Sequence, residues 1–71
     1  MTKLGKYLAK RSVNKSEVSR RTGISKVRMS ELTLNNNTKL RADELYLIAL
    51  AINVDPSEIF GEVCGHLKLE K

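Results

Sequence analysis

Apolar stripes and capping residues together mark five helical stretches along the chain, and polar or glycine-bearing breaks separate them. In the first stretch, Leu4, Tyr7 and Leu8 follow an i, i+3, i+4 stripe that predicts an amphipathic helix over 3–11, capped by Thr2. Residues 14 to 34 read as two short helices meeting at a corner. Asn14 caps the first, and Glu17 three residues on completes a capping box for the exposed backbone N–H groups. Gly23 sits just past its last turn, where glycine adopts the left-handed conformation without steric cost. One apolar corner residue, Ile24, precedes Ser25, which caps the second helix over roughly 26–34. A helix, a short turn containing glycine and a second helix make a helix-turn-helix.

The strongest helical pattern lies over 42–52, where Leu45, Ile48, Ala49 and Ile52 share a stripe and Asp43 and Glu44 suit the first turn. Asn53 ends it, and Asp55-Pro56-Ser57-Glu58 starts a short fifth helix with a cap, a proline at the first position and a glutamate at the third. Ile59 and Phe60 are expected to plug that helix into the core before Gly61 stops it. The expected fold is therefore all-α, a compact five-helix domain over 1–61 followed by a tail over 62–71. Leu4, Tyr7, Leu8, Val18, Ile24, Met29, Leu32, Leu45, Ile48, Ala49, Ile52, Ile59 and Phe60 make the expected core.

Smaller features refine this outline. Ser19 is small enough to let two helices cross closely, and Val13 can staple the start of the second helix. Gly5 weakens the first helix by about 1 kcal/mol relative to alanine. Asn35-Asn36-Asn37-Thr38 is a polar turn in which Asn35 is expected to take the left-handed conformation that ends the third helix. Leu67 and Leu69 alternate with Lys68 and Glu70, a weak strand signal in the tail.

Charge divides the chain. Residues 1–41 carry eleven Lys/Arg against Glu17 and Glu31, a balance of +9, and residues 42–71 carry two against six acids, a balance of −4. A basic half that holds the two-helix unit points to a surface facing a polyanion, the bland alternative being ordinary solvated faces. Seventy-one residues build one small domain. The single Cys64 forms no internal disulfide and fits a reducing, cytoplasmic setting, and no signal-peptide or membrane-spanning run is expected.

Asn14, Lys15, Val18, Ser19, Gly23, Ile24, Ser25, Met29 and Ser30 fall on the pattern of a known family. From Leu4 to Phe60 the chain resembles the lambda-repressor-like helix-turn-helix domains of phage repressors and Cro proteins. It departs from them at Lys15, where Gln is usual, at Thr33, where Glu is usual, and at Asn35, where Gly is usual. Relatives often pair an Arg near Leu8 with the Glu near Thr33; here neither position is charged, so no buried charge is left unpaired.

The resemblance implies a transcriptional regulator that binds double-stranded DNA and lays its third helix in the major groove. Around that helix Val27, Glu31 and Leu34 lie opposite Met29 and Leu32, with Lys26, Arg28 and Ser30 at the flanks. Lys26, Val27, Arg28, Ser30 and Glu31 are the expected base-contacting residues, Val27 for a thymine methyl and Arg28 for guanine. Glu31 accepts from cytosine or else steers Arg28 or Lys26. Asn14, Lys15, Ser16, Asn36, Lys39 and Arg41 are the expected phosphate contacts, and Arg20 and Arg21 are read as solvated.

Catalysis and metal binding find no support. One His and one Cys in the tail make neither a nucleophile-base set nor a metal site, and no cofactor is expected. Leu47 and Leu50 lie outside the core stripe, and Val63, Leu67 and Leu69 extend that apolar surplus. A symmetric homodimer through this patch, or through paired Leu67-Lys68-Leu69 strands, is expected, unless the tail folds back over the patch or a protein partner, such as a toxin bound by an antitoxin, covers it.

Overall fold

Helix α1 (Lys3–Lys10) starts on Thr2, whose Oγ1 accepts the Gly5 N–H at 3.0 Å. The same residue also closes α3 (Lys26–Leu34). Thr2 N–H donates to Thr33 O at 2.9 Å, and Thr2 Oγ1–H donates to Leu32 O at 2.7 Å. Three backbone groups that helix ends leave without partners are thus met by one threonine. The computed structural model that shows this describes residues 1–70; Lys71, the end of the expected tail, lies outside the described residues.

Helix α2 (Lys15–Thr22), α4 (Ala42–Ala51) and α5 (Pro56–Cys64) complete the five expected helices, and there is no strand among the described residues. Helix α1 packs on α3 and α5, α2 packs on α3 and α4, and α4 packs on α5. Twelve apolar side chains fill the space between them, with Leu4, Leu8, Met29, Ile48 and Ile59 nearly inaccessible. Thr33 is as deeply buried as these. Its Oγ1 lies 3.0 Å from Met29 O, and the Lys15 ammonium donates to it at 3.4 Å, so the hydroxyl is satisfied without a charged partner of its own in the core.

Two helices end in the same way. Ser12 (φ 56°) and Asn53 (φ 62°) adopt left-handed conformations after α1 and α4. Ser12 and Val13 return N–H bonds to Ala9 O and Leu8 O, both at 3.1 Å; Asn53 and Val54 do so to Leu50 O at 3.2 Å and Ala49 O at 2.9 Å. Each pair of bonds is a Schellman closure, and the apolar residue after the left-handed one turns inward. That places Val54 in the core, which its position in a loop did not suggest.

The core otherwise differs from expectation at two positions. Phe60 is 58% exposed, because Ile59 already faces the core and neighbours on a helix stand about 100° apart. Ile52 is only partly buried, packed at the core's edge. Gly61 does not stop α5, which continues to Cys64; its C=O remains in the helical ladder, with Gly65 N–H donating to Gly61 O at 2.8 Å. Nor does Asn35 turn left-handed. It is extended (φ −102°), and its Oδ1 accepts the Asn37 N–H at 2.9 Å, so the loop turns on the asparagine side chain. Leu67-Lys68-Leu69 forms no strand.

Candidate nucleic-acid interface

The corner between α2 and α3 is closed by its own residues. Gly23 takes φ 82°, and its N–H donates to Ser19 O at 3.0 Å. The buried Ser19 hydroxyl donates to Ile24 O, Thr22 Oγ1–H donates to Val18 O at 2.8 Å, and Ile24 N–H returns to Thr22 Oγ1 at 3.1 Å. Ser19 therefore does more than fill little space: its hydroxyl serves the Ile24 carbonyl at the corner.

Asn14 Oδ1 accepts the Glu17 N–H at 3.1 Å and Ser25 Oγ accepts the Arg28 N–H at 3.1 Å, so both helices begin on the expected caps. The reciprocal half of the α2 capping box is replaced, because Glu17 turns its carboxylate to Arg20. Lys15, Ser16, Lys26, Met29 and Ser30 surround a cleft of about 190 Å³ between the start of α2 and the first turns of α3. Two lysines and two serines thus border a cleft beside a helix start, a setting suited to an anion.

One side of α3 is buried through Met29, Leu32 and Thr33, and Lys26, Val27, Ser30, Glu31 and Leu34 are exposed, Val27 by 72%. Asn14, Lys15, Ser16, Asn36, Lys39 and Arg41 lie at the surface as well. Arg41 has a weak surface partner in Asp43 at 3.2 Å. Arg21, read as solvated, instead reaches Ala51 O at 2.9 Å and serves a carbonyl at the end of α4.

Of the residues expected to meet bases, Arg28 is the one engaged by another part of the chain. At about 100° per residue it falls beside Leu32 on the edge of the exposed side, facing α4. Its Nε and Nη2 donate to the two Glu44 carboxylate oxygens at 2.8 and 2.9 Å, and Nη2 also reaches Lys39 O at 2.9 Å. Glu44 is buried, its side chain only 10% exposed, and it further accepts the Arg41 N–H at 3.0 Å as the α4 capping residue. Sequence reasoning saw Glu44 only as a charge for the helix dipole; the missed signal was an acid at the third position of α4 facing an arginine at the edge of α3.

The Arg28 guanidinium, with the Arg41 N–H behind it, holds the Glu44 carboxyl below the ordinary glutamate value of 4.5 against the opposing effect of burial. A depressed carboxyl pKa contributes stability that is complete above the unfolded value and is lost as pH falls through the folded one. Thermal unfolding followed from about pH 7 to pH 3 should therefore fall more steeply below 4.5 in the wild type than in Glu44→Gln. Parallel curves for the two proteins would show that Glu44 contributes nothing to the acid limb.

The family model of the Cro/C1-type HTH DNA-binding domain matches residues 3–64. No curated protein and no solved structure matches the chain. The chain belongs to the Cro/C1-type helix-turn-helix family, and with it to the DNA-binding regulators.

Proposed function

We propose that this Cro/C1-type domain is a sequence-specific repressor-like protein that inserts α3 into the major groove of an operator and binds it as a symmetric homodimer. The observation that carries the reading is the coincidence of two features on α3. Lys26, Val27, Ser30 and Glu31 are exposed on the side away from the core, and Lys26 and Ser30 also line the cationic cleft at the start of α2. A phosphate held in that cleft sets the register, and the exposed side chains then meet base edges. Asn36, Lys39 and Arg41 grip the backbone across the groove.

The dimer rests on surface that one chain leaves open. Leu47 is 38% exposed, Leu50 51%, Tyr46 54% and Phe60 58%. Tyr46 and Phe60 also line an apolar groove of about 320 Å³ with Ala42, Leu45, Pro56 and Ser57. Exposed apolar side chains gathered beside such a groove suit an interaction surface. A foreign protein seated there, as a toxin on its antitoxin, is the other reading that the groove favours.

Selection of bound duplexes from a random pool tests both parts. Two inverted half-sites about one helical turn apart are expected. Sedimentation should show a dimer for the wild type and a folded monomer for the Leu47→Lys, Leu50→Lys variant. A wild type that stays monomeric at tens of micromolar and on DNA would rule the dimer out. A wild type that enriches no sequence but binds a protein partner stoichiometrically would leave the antitoxin reading.

A further inference from the structure

The Arg28–Glu44 fork has no part in the contacts assigned so far, and it sits where those contacts are organised. It joins the first turn of α3 to Lys39 O in the connecting loop and to the start of α4. The same loop carries Lys39 and Arg41, the cations on the far side of the proposed groove contact. A bidentate arginine–carboxylate pair is geometrically rigid, and here the carboxylate is buried and also fixed by a backbone N–H. The pair therefore ties the segment that reads bases to the segment that grips phosphate.

We propose that Glu44 is a specificity-determining residue: by holding the Arg28 guanidinium in this fork it keeps Arg28 from reading a base and docks α3 and the 35–41 loop on DNA as one unit. The inference rests on the DNA-reading function proposed above. Arginine forks pair with the O6 and N7 edge of guanine in the same two-point manner in which Arg28 meets Glu44. One fork cannot serve both. With Glu44 in place, the carboxylate is the partner already positioned, and Arg28 is a positioning residue. Without Glu44, the side chain is an unpaired arginine beside Glu31 at the margin of the reading face.

The experiment is duplex selection, followed by affinity measurements on the enriched sites, for the wild type, Arg28→Met, Glu44→Ala, Glu44→Gln and the Arg28→Met/Glu44→Ala pair. Circular dichroism establishes that each variant is folded at the assay temperature. Arg28→Met is expected to weaken all enriched sites together and to leave the order of preferred bases unchanged. Glu44→Ala is expected to gain a guanine preference of about tenfold at one position in each half-site, within the range that a bidentate arginine contact supplies. That preference should vanish in the double variant, a result that loss of structure alone cannot produce. If Glu44→Ala does not fold, Glu44→Gln, which keeps the shape and the bond to Arg41 N–H, is expected to show the same gain in smaller measure.

Loss of one guanine preference in Arg28→Met alone would show that Arg28 reads a base in the wild type and would overturn the proposal. Unchanged preferences in both Glu44 variants would overturn it too. A wild type that enriches no duplex would fail at the earlier step, bringing down the DNA-reading function and this inference with it.

Discussion

Replacing Gly5 with alanine should lower the unfolding temperature by about 10–30 °C, although helix propensity alone favours alanine there by about 1 kcal/mol. The reason is the approach of α1 to α3. A Cβ on Gly5 would stand 2.1 Å from Thr33 O and 3.0 Å from Thr33 C, both backbone atoms at the end of α3. Met1 Cγ, at 2.7 Å, belongs to a flexible side chain and can swing aside; the carbonyl cannot. The helices must therefore separate, which stretches the bonds from Thr2 N to Thr33 O and from Thr2 Oγ1 to Leu32 O. Overpacking costs about 1–3 kcal/mol and each stretched bond about 1 kcal/mol. After the propensity gain the net loss is about 2–4 kcal/mol, large for so small a domain. Urea and thermal unfolding of Gly5→Ala check this. A variant at least as stable as the wild type would mean that α1 and α3 do not pack as described.

The second large effect is expected in the salt dependence of operator binding. Lys15, Lys39 and Arg41 from each of two subunits would neutralise about six phosphates, which predicts a loss of affinity of about 10³-fold between roughly 50 and 200 mM salt. Lys15→Ala and Lys39→Ala should each weaken specific and random duplexes alike and flatten the logarithmic slope, because phosphate contacts carry no sequence information. Lys26→Ala is expected to act differently, with preference lost at its base step. Titrations at four salt concentrations, with an enriched and a random duplex, measure both quantities. A slope unchanged by Lys15→Ala would remove that residue from the phosphate contacts, and its bond to Thr33 would then be its main role.

The helix boundaries were legible where a side chain has a specific backbone duty. Asn14, Ser25 and Asp55 accept N–H groups of the helical turns they introduce, and Gly23 is left-handed where the corner demands it. Caps are local, so sequence spacing is enough to find them. Termination was harder to read, because a left-handed closure is favoured only when the next residue gains burial from it. Ser12 and Asn53 accept that conformation in front of Val13 and Val54, which pack on or in the core, whereas the polar Asn36 after Asn35 offers no such reward. Phe60 misled through hydrophobicity alone; the stripe set by Ile59 runs on to Val63. The exposed members of the candidate site follow from the angular position of each residue on α3. The fork of Arg28 does not, since its partner lies 16 residues away on another helix.

The division of labour on α3 has a consequence for how relatives of this domain diverge. Lys26, Val27, Ser30 and Glu31 lie in solvent, where substitutions change folding free energy by about half a kilocalorie per mole or less. The core beneath them is held by Met29, Leu32 and Thr33 and by the self-contained corner at Gly23. If those four side chains read the operator as proposed, a lineage can exchange them freely and acquire a new operator in single steps, each compatible with a folded protein. Arg28 and Glu44 are not free in this way: a change at either strands the other, so they are expected to drift only as a pair.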